Sequence, residues 1–240
     1  LIASTVPNLK AYDPAFSYEI AVIIHDGLIR MYQNNEDIFY YLTVENENYT
    51  HPEMPKNIED GIIKGMYLYQ ESSKKHKNCV QLLSSGPIVN EAIAASKLLK
   101  EDWKIDSNLW SVTSYSELHK EAEDVQRWNN LNPLSKQKDS YLSQCLDKSL
   151  PVIAVSDYVK LVAEQIAPYV ECSFTALGTD GFGRSDTREK LRDFFEINRY
   201  YITIAAINSL IKEGKLKKEV LSDAIKKYNI NSDKINPLKL

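Results

Sequence analysis

The chain has 240 residues, a formal net charge of -4, 43% hydrophobic and 26% charged residues, a balance that excludes a disordered or collagen-like chain and leaves an ordinary soluble globular composition. The basic stretches around Lys74, Lys75 and Lys77 and around Lys215, Lys217 and Lys218 are short, so the charge offers no footprint for a nucleic acid. No stretch reaches the roughly 18 uncharged apolar residues of a membrane span and no signal pattern opens the chain, so neither nucleic acid nor membrane is an expected partner and a cytoplasmic location is expected.

Taken in order, 6–12 (VPNLKAY) reads as a strand closed by Asp13-Pro14, and Pro14 is expected to open a helix carrying Phe16, Ile20, Ile23, Ile24 and Leu28 at helical spacing. The continuous β-branched and aromatic run 38–44 (IFYYLTV) predicts a strand covered on both faces. Two strands and one helix cannot cover both faces of a parallel pair. That shortfall, together with an opening Leu1-Ile2-Ala3 that lacks methionine, predicts a fragment whose first sheet continues in sequence outside the chain.

Residues 46–56 (NENYTHPEMPK) carry two prolines and no apolar period, which marks a loop or linker. From Gly61 the pattern restarts: strands at 66–70 and 79–83, a turn Ser84-Ser85-Gly86-Pro87, a helix 88–100, a strand 109–114 and a helix 116–129. A polar segment 132–149, a strand 152–155, a helix 158–166 and a strand 173–177 follow, then helices near 187–195, 198–212 and 217–228. Strands separated by helix-length segments predict an α/β fold with a mostly parallel sheet.

The glycine-rich stretch 177–189 (LGTDGFGRSDTRE) holds Gly178, Gly181 and Gly183, a spacing that matches neither the dinucleotide fingerprint nor the phosphate loop. Asp186 stands three residues before Glu189 in a capping-box arrangement, and Asp180 lies between the first two glycines. The glycines permit a close backbone approach to a ligand or to another subunit. Arg184, a cation beside a helix start, asks for a nearby anion.

A second candidate is Glu45, Asn46, Glu47, Asn48, Tyr49 and His51, at the C-terminal end of a predicted parallel strand, where polar groups line a pocket or form a solvated linker. The turn Ser84-Ser85-Gly86-Pro87 is a weaker anion candidate, since it lacks a lysine. His51 has no companion at ligand spacing, His25 and His119 read as surface residues, and Cys79, Cys145 and Cys172 are far apart, an odd set that suits a reducing compartment. Ser156-Asp157 and Ser185-Asp186 lack the nucleophile-elbow context.

The blocks VPN at 6–8 through YDPA at 12–15, IHDGL at 24–28, NENY at 46–49, RWN at 127–129 and LGTDGFGRSDTR at 177–188 resemble, in order and spacing, the C-terminal quarter of the homodimeric bacterial pyruvate dehydrogenases, the decarboxylating component of a transketolase-like, thiamine diphosphate-dependent family. The resemblance implies that residues 1–56 end a parallel-sheet pyrimidine-binding middle domain, incomplete here, and that residues 57–240 form a transketolase C-terminal-like α/β domain. It implies a homodimer that oxidatively decarboxylates pyruvate and transfers the acetyl group to the lipoyl-lysine of an acyltransferase. Thiamine diphosphate and Mg²⁺ would be held largely by segments outside this chain, because Asp26-Gly27, Asp60-Gly61 and Asp180-Gly181 lack the Asn-Asn pair of the magnesium motif.

On that reading this portion supplies no catalytic residue and no metal ligand, and is inactive by itself. Glu45 to His51 would line the substrate entrance, and Gly178 to Arg184 would meet a subunit interface. A stand-alone, non-catalytic interaction or regulatory module of the same ancestry is the competing expectation.

Overall fold

The computed structural model describes residues 1–73 and 75–240; Lys74 lies outside them. Two sheets organise the chain. In the first, β1 (Leu9–Tyr12) pairs in parallel with β2 (Phe39–Leu42). The second has five strands in the order β3-β5-β4-β6-β7: β3 (Met66–Gln70), β4 (Asn78–Ser85), β5 (Ile105–Val112), β6 (Val152–Ser156) and β7 (Phe174–Leu177). Only β3 is antiparallel; the β5, β4, β6 and β7 neighbours all pair in parallel. The expected α/β architecture with a mostly parallel sheet is therefore the one observed.

The five-stranded sheet is buried on both faces, as parallel crossovers require. Alternate residues go to opposite sides. Val80, Leu82, Ile105, Leu109, Ile153 and Val155 pack under α3 (Val89–Trp103), α8 (Arg199–Lys212) and α9 (Lys218–Lys227). Leu83, Trp110, Val112, Val152 and Ala154 pack under α4 (Tyr115–Leu131), α5 (Tyr141–Cys145) and α6 (Leu161–Glu164). Two α-helices were not expected: α5, inside the polar segment 132–149, and α2 (Glu59–Lys64), which straddles the expected restart at Gly61. Both are about one turn or two long, too short for a period to register.

One face of the first sheet packs against α1; on the other, Leu9 of β1 is buried while the β2 side chains are open. The helix α1 (Ser17–Leu28) begins three residues after Pro14 rather than at it, with Phe16 as its N-cap in the extended region (φ -121, ψ 153); it continues as a π-helical turn, Ile29–Gln33. Its buried stripe, Glu19, Ile23 and Gly27, recurs every four residues. The Tyr40 ring lies against Gly27, and Leu42 joins Tyr12 and Ile23 in a small core. On the opposite side of β2, Phe39 and Tyr41 are 45% and 51% exposed.

The two sheets are joined through Asp13 and Glu19. The Asp13 N–H donates to the Thr113 carbonyl at 2.7 Å, and the Gly86 N–H donates to the Asp13 carbonyl at 3.1 Å. Ser114, whose hydroxyl caps α4 by accepting from the Glu117 N–H at 3.1 Å, also donates to the Ala11 carbonyl at 2.6 Å. Glu19 is fully buried and accepts from the Phe16 N–H at 3.2 Å, the Ala15 N–H, the Tyr67 hydroxyl at 2.7 Å and the Ser111 hydroxyl at 2.7 Å. Burial pushes its carboxyl above the usual range, against the pull of those donors. Replacement Glu19→Ala strands three buried donors, leaves the Tyr67 hydroxyl only Tyr18 as partner, and is expected to destabilise the chain by about 3 kcal/mol, read as a lower urea midpoint at unchanged m-value.

Candidate functional site

The carboxyl ends of the parallel strands in both sheets converge on one cavity of about 590 Å³, the position where open α/β sheets place their ligands. Asp13 follows β1, Thr43 follows β2, Ser85 ends β4, Asp157 follows β6 and Thr179 stands just past β7. Tyr115, the first residue of α4 after β5, closes the floor.

Asp13 is the polar centre of this wall. Its Oδ1 accepts from the Thr43 hydroxyl at 2.7 Å. Burial raises its carboxyl to about 7, with Glu45 and Asp157 adding to the rise and Thr43 and Ser85 opposing it. Gly86 sits beside it at φ +66, and a Cβ there would come within 2.9 Å of both Asp13 carboxylate oxygens. The turn Ser84-Ser85-Gly86-Pro87 is thus packed against a carboxylate, which rules out its reading as an anion cradle. Ser84 and Ser85 themselves belong to β4.

Beyond the cavity lies a partly buried ion-pair cluster that holds the Glu45 to His51 segment onto α7 (Arg188–Phe194). Arg192 is 5% exposed. It donates to Glu47 at 2.9 and 3.2 Å and to Asp157 at 3.1 and 3.4 Å. Arg188 donates to Glu45 at 2.6 Å and to the Asn46 side-chain oxygen at 2.9 Å, and lies 3.4 Å from Glu47. Burial alone would lower the Arg192 pKa, yet its contacts with Asp157 and Glu47 carry it above its ordinary value. Burial holds the Glu45 and Asp157 carboxyls up.

The other half of the segment is tied to the start of α1. The Tyr49 hydroxyl donates to the Ala15 carbonyl, and the His51 Nδ1 accepts from the Ser17 N–H at 2.9 Å. The two rings stack with centroids 4.8 Å apart. A ring nitrogen that accepts from the backbone puts the proton of a neutral His51 on Nε2. Asn46 and Asn48 are exposed between these anchors.

In the glycine-rich stretch the structure separates roles that the sequence runs together. Gly178 passes so close to β6's exit that a Cβ would meet the Tyr158 carbonyl oxygen at 2.5 Å and the Lys160 nitrogen at 2.6 Å. Asp180 accepts from the Lys160 N–H at 3.0 Å. Gly181 abuts the Pro237 carbonyl, while Gly183 has open space around it. The expected capping box is corrected: Thr187, not Asp186, is the N-cap of α7, its hydroxyl facing the Lys190 N–H, and Asp186 accepts from the Thr187 N–H at 2.7 Å. Arg184, for which an anion was expected, lies over the Phe194 ring at 5.3 Å; the apolar ring face takes the place of a counter-charge. Arg188 and Arg192, four residues apart on α7, are the cations that meet the carboxylates, and the sequence reading did not single them out. Their i, i+4 spacing on one helix face was the available signal.

Among the described residues no group of three or more His, Cys, Asp or Glu could hold a metal ion, and no helix is long and apolar enough to cross a membrane. The cavity is lined by no lysine, arginine or histidine, so its residues do not fit a diphosphate. The three cysteines are free. His25 is exposed, and His119 is satisfied by the Gln165 carbonyl at 3.0 Å.

Comparison with known proteins agrees with this geometry. The family described as the transketolase-like TK C-terminal domain matches residues 65–198, and the chain belongs to that family. The pyruvate dehydrogenase E1 component middle domain matches residues 1–52, and the chain is homologous to a portion of that E1 component. The pyruvate dehydrogenase E1 component of Pseudomonas aeruginosa is 50% identical over 240 residues, which cover 99% of this chain and 27% of that protein. Its counterpart in Cupriavidus necator is 49% identical over 239 residues, covering 99% and 27%. The chain therefore spans about a quarter of the length of these relatives. A transketolase mutant from Pichia stipitis superposes with a TM-score of 0.61 at 16% identity, over 87% of this chain and 26% of that one, a likeness of fold.

Two measurements follow from the electrostatics. Arg192→Ala leaves Asp157 and Glu47 facing each other without their buried cation and is expected to cost about 3 kcal/mol, against about 1 kcal/mol or less for the more exposed Arg188→Ala, both by chemical denaturation. Since the native Asp13 keeps its proton up to about 7 while the unfolded carboxyl releases it near 3.8, stability falls as pH rises through that window and levels off above it. Asp13→Asn is expected to flatten that fall and to raise Tm relative to wild type at pH 8, but not at pH 4.

Proposed function

We propose that this chain is the closing portion of a pyruvate dehydrogenase E1 component, with residues 1–56 ending its middle domain and residues 57–240 forming its C-terminal domain. The observation that carries the reading is near 50% identity to such components along essentially the whole chain. The separation of the two sheets at the proline-bearing stretch 46–56, and family matches that stop at residue 52 and resume at residue 65, support the division.

In the complete protein the reaction is the oxidative decarboxylation of pyruvate, with transfer of the acetyl group to lipoyl-lysine of an acyltransferase, in a cytoplasmic homodimer. Thiamine diphosphate and Mg²⁺ supply the carbanion chemistry from segments outside this chain. This chain's own residues act as scaffold. The Arg188 and Arg192 ion pairs fix the Glu45 to His51 segment as one wall of the substrate entrance, with Asn46 and Asn48 presented to solvent. Gly181, Gly183, Arg184 and Asp186, with the exposed Phe182, form the surface offered to a second subunit, and Gly178 and Asp180 anchor it from behind on Tyr158 and Lys160.

The complete enzyme provides the test. Asn48→Ala, which touches no ion pair, is expected to change KM for pyruvate or the rate of acetyl transfer to a lipoyl domain severalfold, and Arg184→Ala to loosen the dimer in analytical ultracentrifugation. Unchanged kinetics in the first and unchanged dissociation in the second would remove the entrance and interface roles respectively.

A further inference from the structure

We propose that His51 is a pH-sensitive latch: its unprotonated ring holds the second half of the Glu45 to His51 segment on the start of α1, and protonation releases it. The inference concerns how the segment is held and stands whether or not the pyruvate dehydrogenase reading holds.

The need arises at the helix start. Phe16, the N-cap of α1, has no side-chain acceptor for the unpaired N–H groups of the first turn. Glu19 takes the N–H groups of Ala15 and Phe16. The next one, on Ser17, is taken from outside the helix, by His51 Nδ1 at 2.9 Å and 34 residues further along the chain. His51 thus does for α1 what a local serine or aspartate does for other helices.

The substitute differs from those caps in one respect. The Nδ1 lone pair that accepts from Ser17 is the one that would bind a second proton, so seating and protonation exclude each other. An imidazolium there is also a cation at the positive end of the α1 dipole. Histidine is the residue type whose charge ordinarily changes between about pH 5 and 8, which brings the exclusion within reach of moderate acidification.

The surroundings offer the protonated ring no free counter-charge. Tyr49 stacks on it at 4.8 Å and Phe16 meets it edge-on at 6.3 Å, with Tyr18 and Tyr69 on the far side of Phe16. Stacking serves either form of the ring; the hydrogen bond serves one. On α1 the Glu19 carboxylate is committed to its own donors, and on the segment Glu47 is committed to Arg192. Glu53 and Lys56, further along, are exposed, where solvent screens them. Arg188 and Arg192 hold residues 45–47 independently, so release is confined to residues 48–51.

Hydrogen exchange read by mass spectrometry on the complete natural protein, at about pH 8 and about pH 5 with rates corrected for intrinsic exchange, tests the latch at the Ser17 amide and at residues 48–51. Acidification is expected to cost both at least about tenfold in protection. In His51→Asn the amide oxygen takes the place of Nδ1 and does not titrate, so protection is expected to persist at both pH values. His51→Ala, with no acceptor, is expected to be open at both. The Asp13, Glu45 and Asp157 carboxyls, which burial holds up, are present in all three proteins. A loss in His51→Asn equal to that of the wild type therefore assigns the effect to them and overturns the proposal. So does unchanged wild-type protection on acidification, or full protection in His51→Ala at the higher pH.

Discussion

A single buried carboxylate, Glu19, holds the two sheets in register with each other. It sits in the first turn of α1, where the unpaired N–H groups of a helix start favour negative charge, and its two oxygens take donors from the helix start, from β3 and from β5. Because α1 packs on the first sheet while Tyr67 and Ser111 belong to the larger one, Glu19 fixes α1, and through it β1 and β2, against the larger sheet by hydrogen bonds of restricted geometry, in addition to apolar contact that is tolerant of sliding. Placing β1 in this way is what brings Asp13 to Gly86 and Thr113, and so creates the meeting of strand ends around the cavity. The ion pairs of Arg192 and Arg188 then fasten the segment that follows β2 to the far side of the same cleft.

Much of the fold could be read from the residues because the larger sheet follows simple rules. Its strands are apolar on both faces and its helices carry long amphipathic periods, so 66–70, 152–155 and 198–212 differ from the observed elements by a residue or less. The misreadings have two physical origins. α2 and α5 are too short for periodicity to distinguish, and β5 begins at Ile105, four residues before the expected 109, because Asp106, Ser107 and Asn108 make its first half read as polar.

The site was less legible, since its parts are brought together only by the tertiary fold. The segment from Glu45 to His51 drew notice for its place at a strand end, but its partners lie more than 140 residues away on α7, and nothing local to either stretch names the other. Glu19 could have been suspected as a lone charge on the stripe shared by Ile23 and Gly27.

The partial cover of the small sheet has a practical corollary for the separated 240-residue chain. Phe39 and Tyr41 on one side of β2, and Ile24, Leu28 and Tyr32 on α1 and the turn that continues it, leave exposed apolar groups on both sides of a two-stranded sheet whose outer edges have no neighbour among the described residues. Such surfaces find one another as concentration rises. For this chain in isolation, association through these groups is expected to limit handling, and added charge on β2 is the natural remedy.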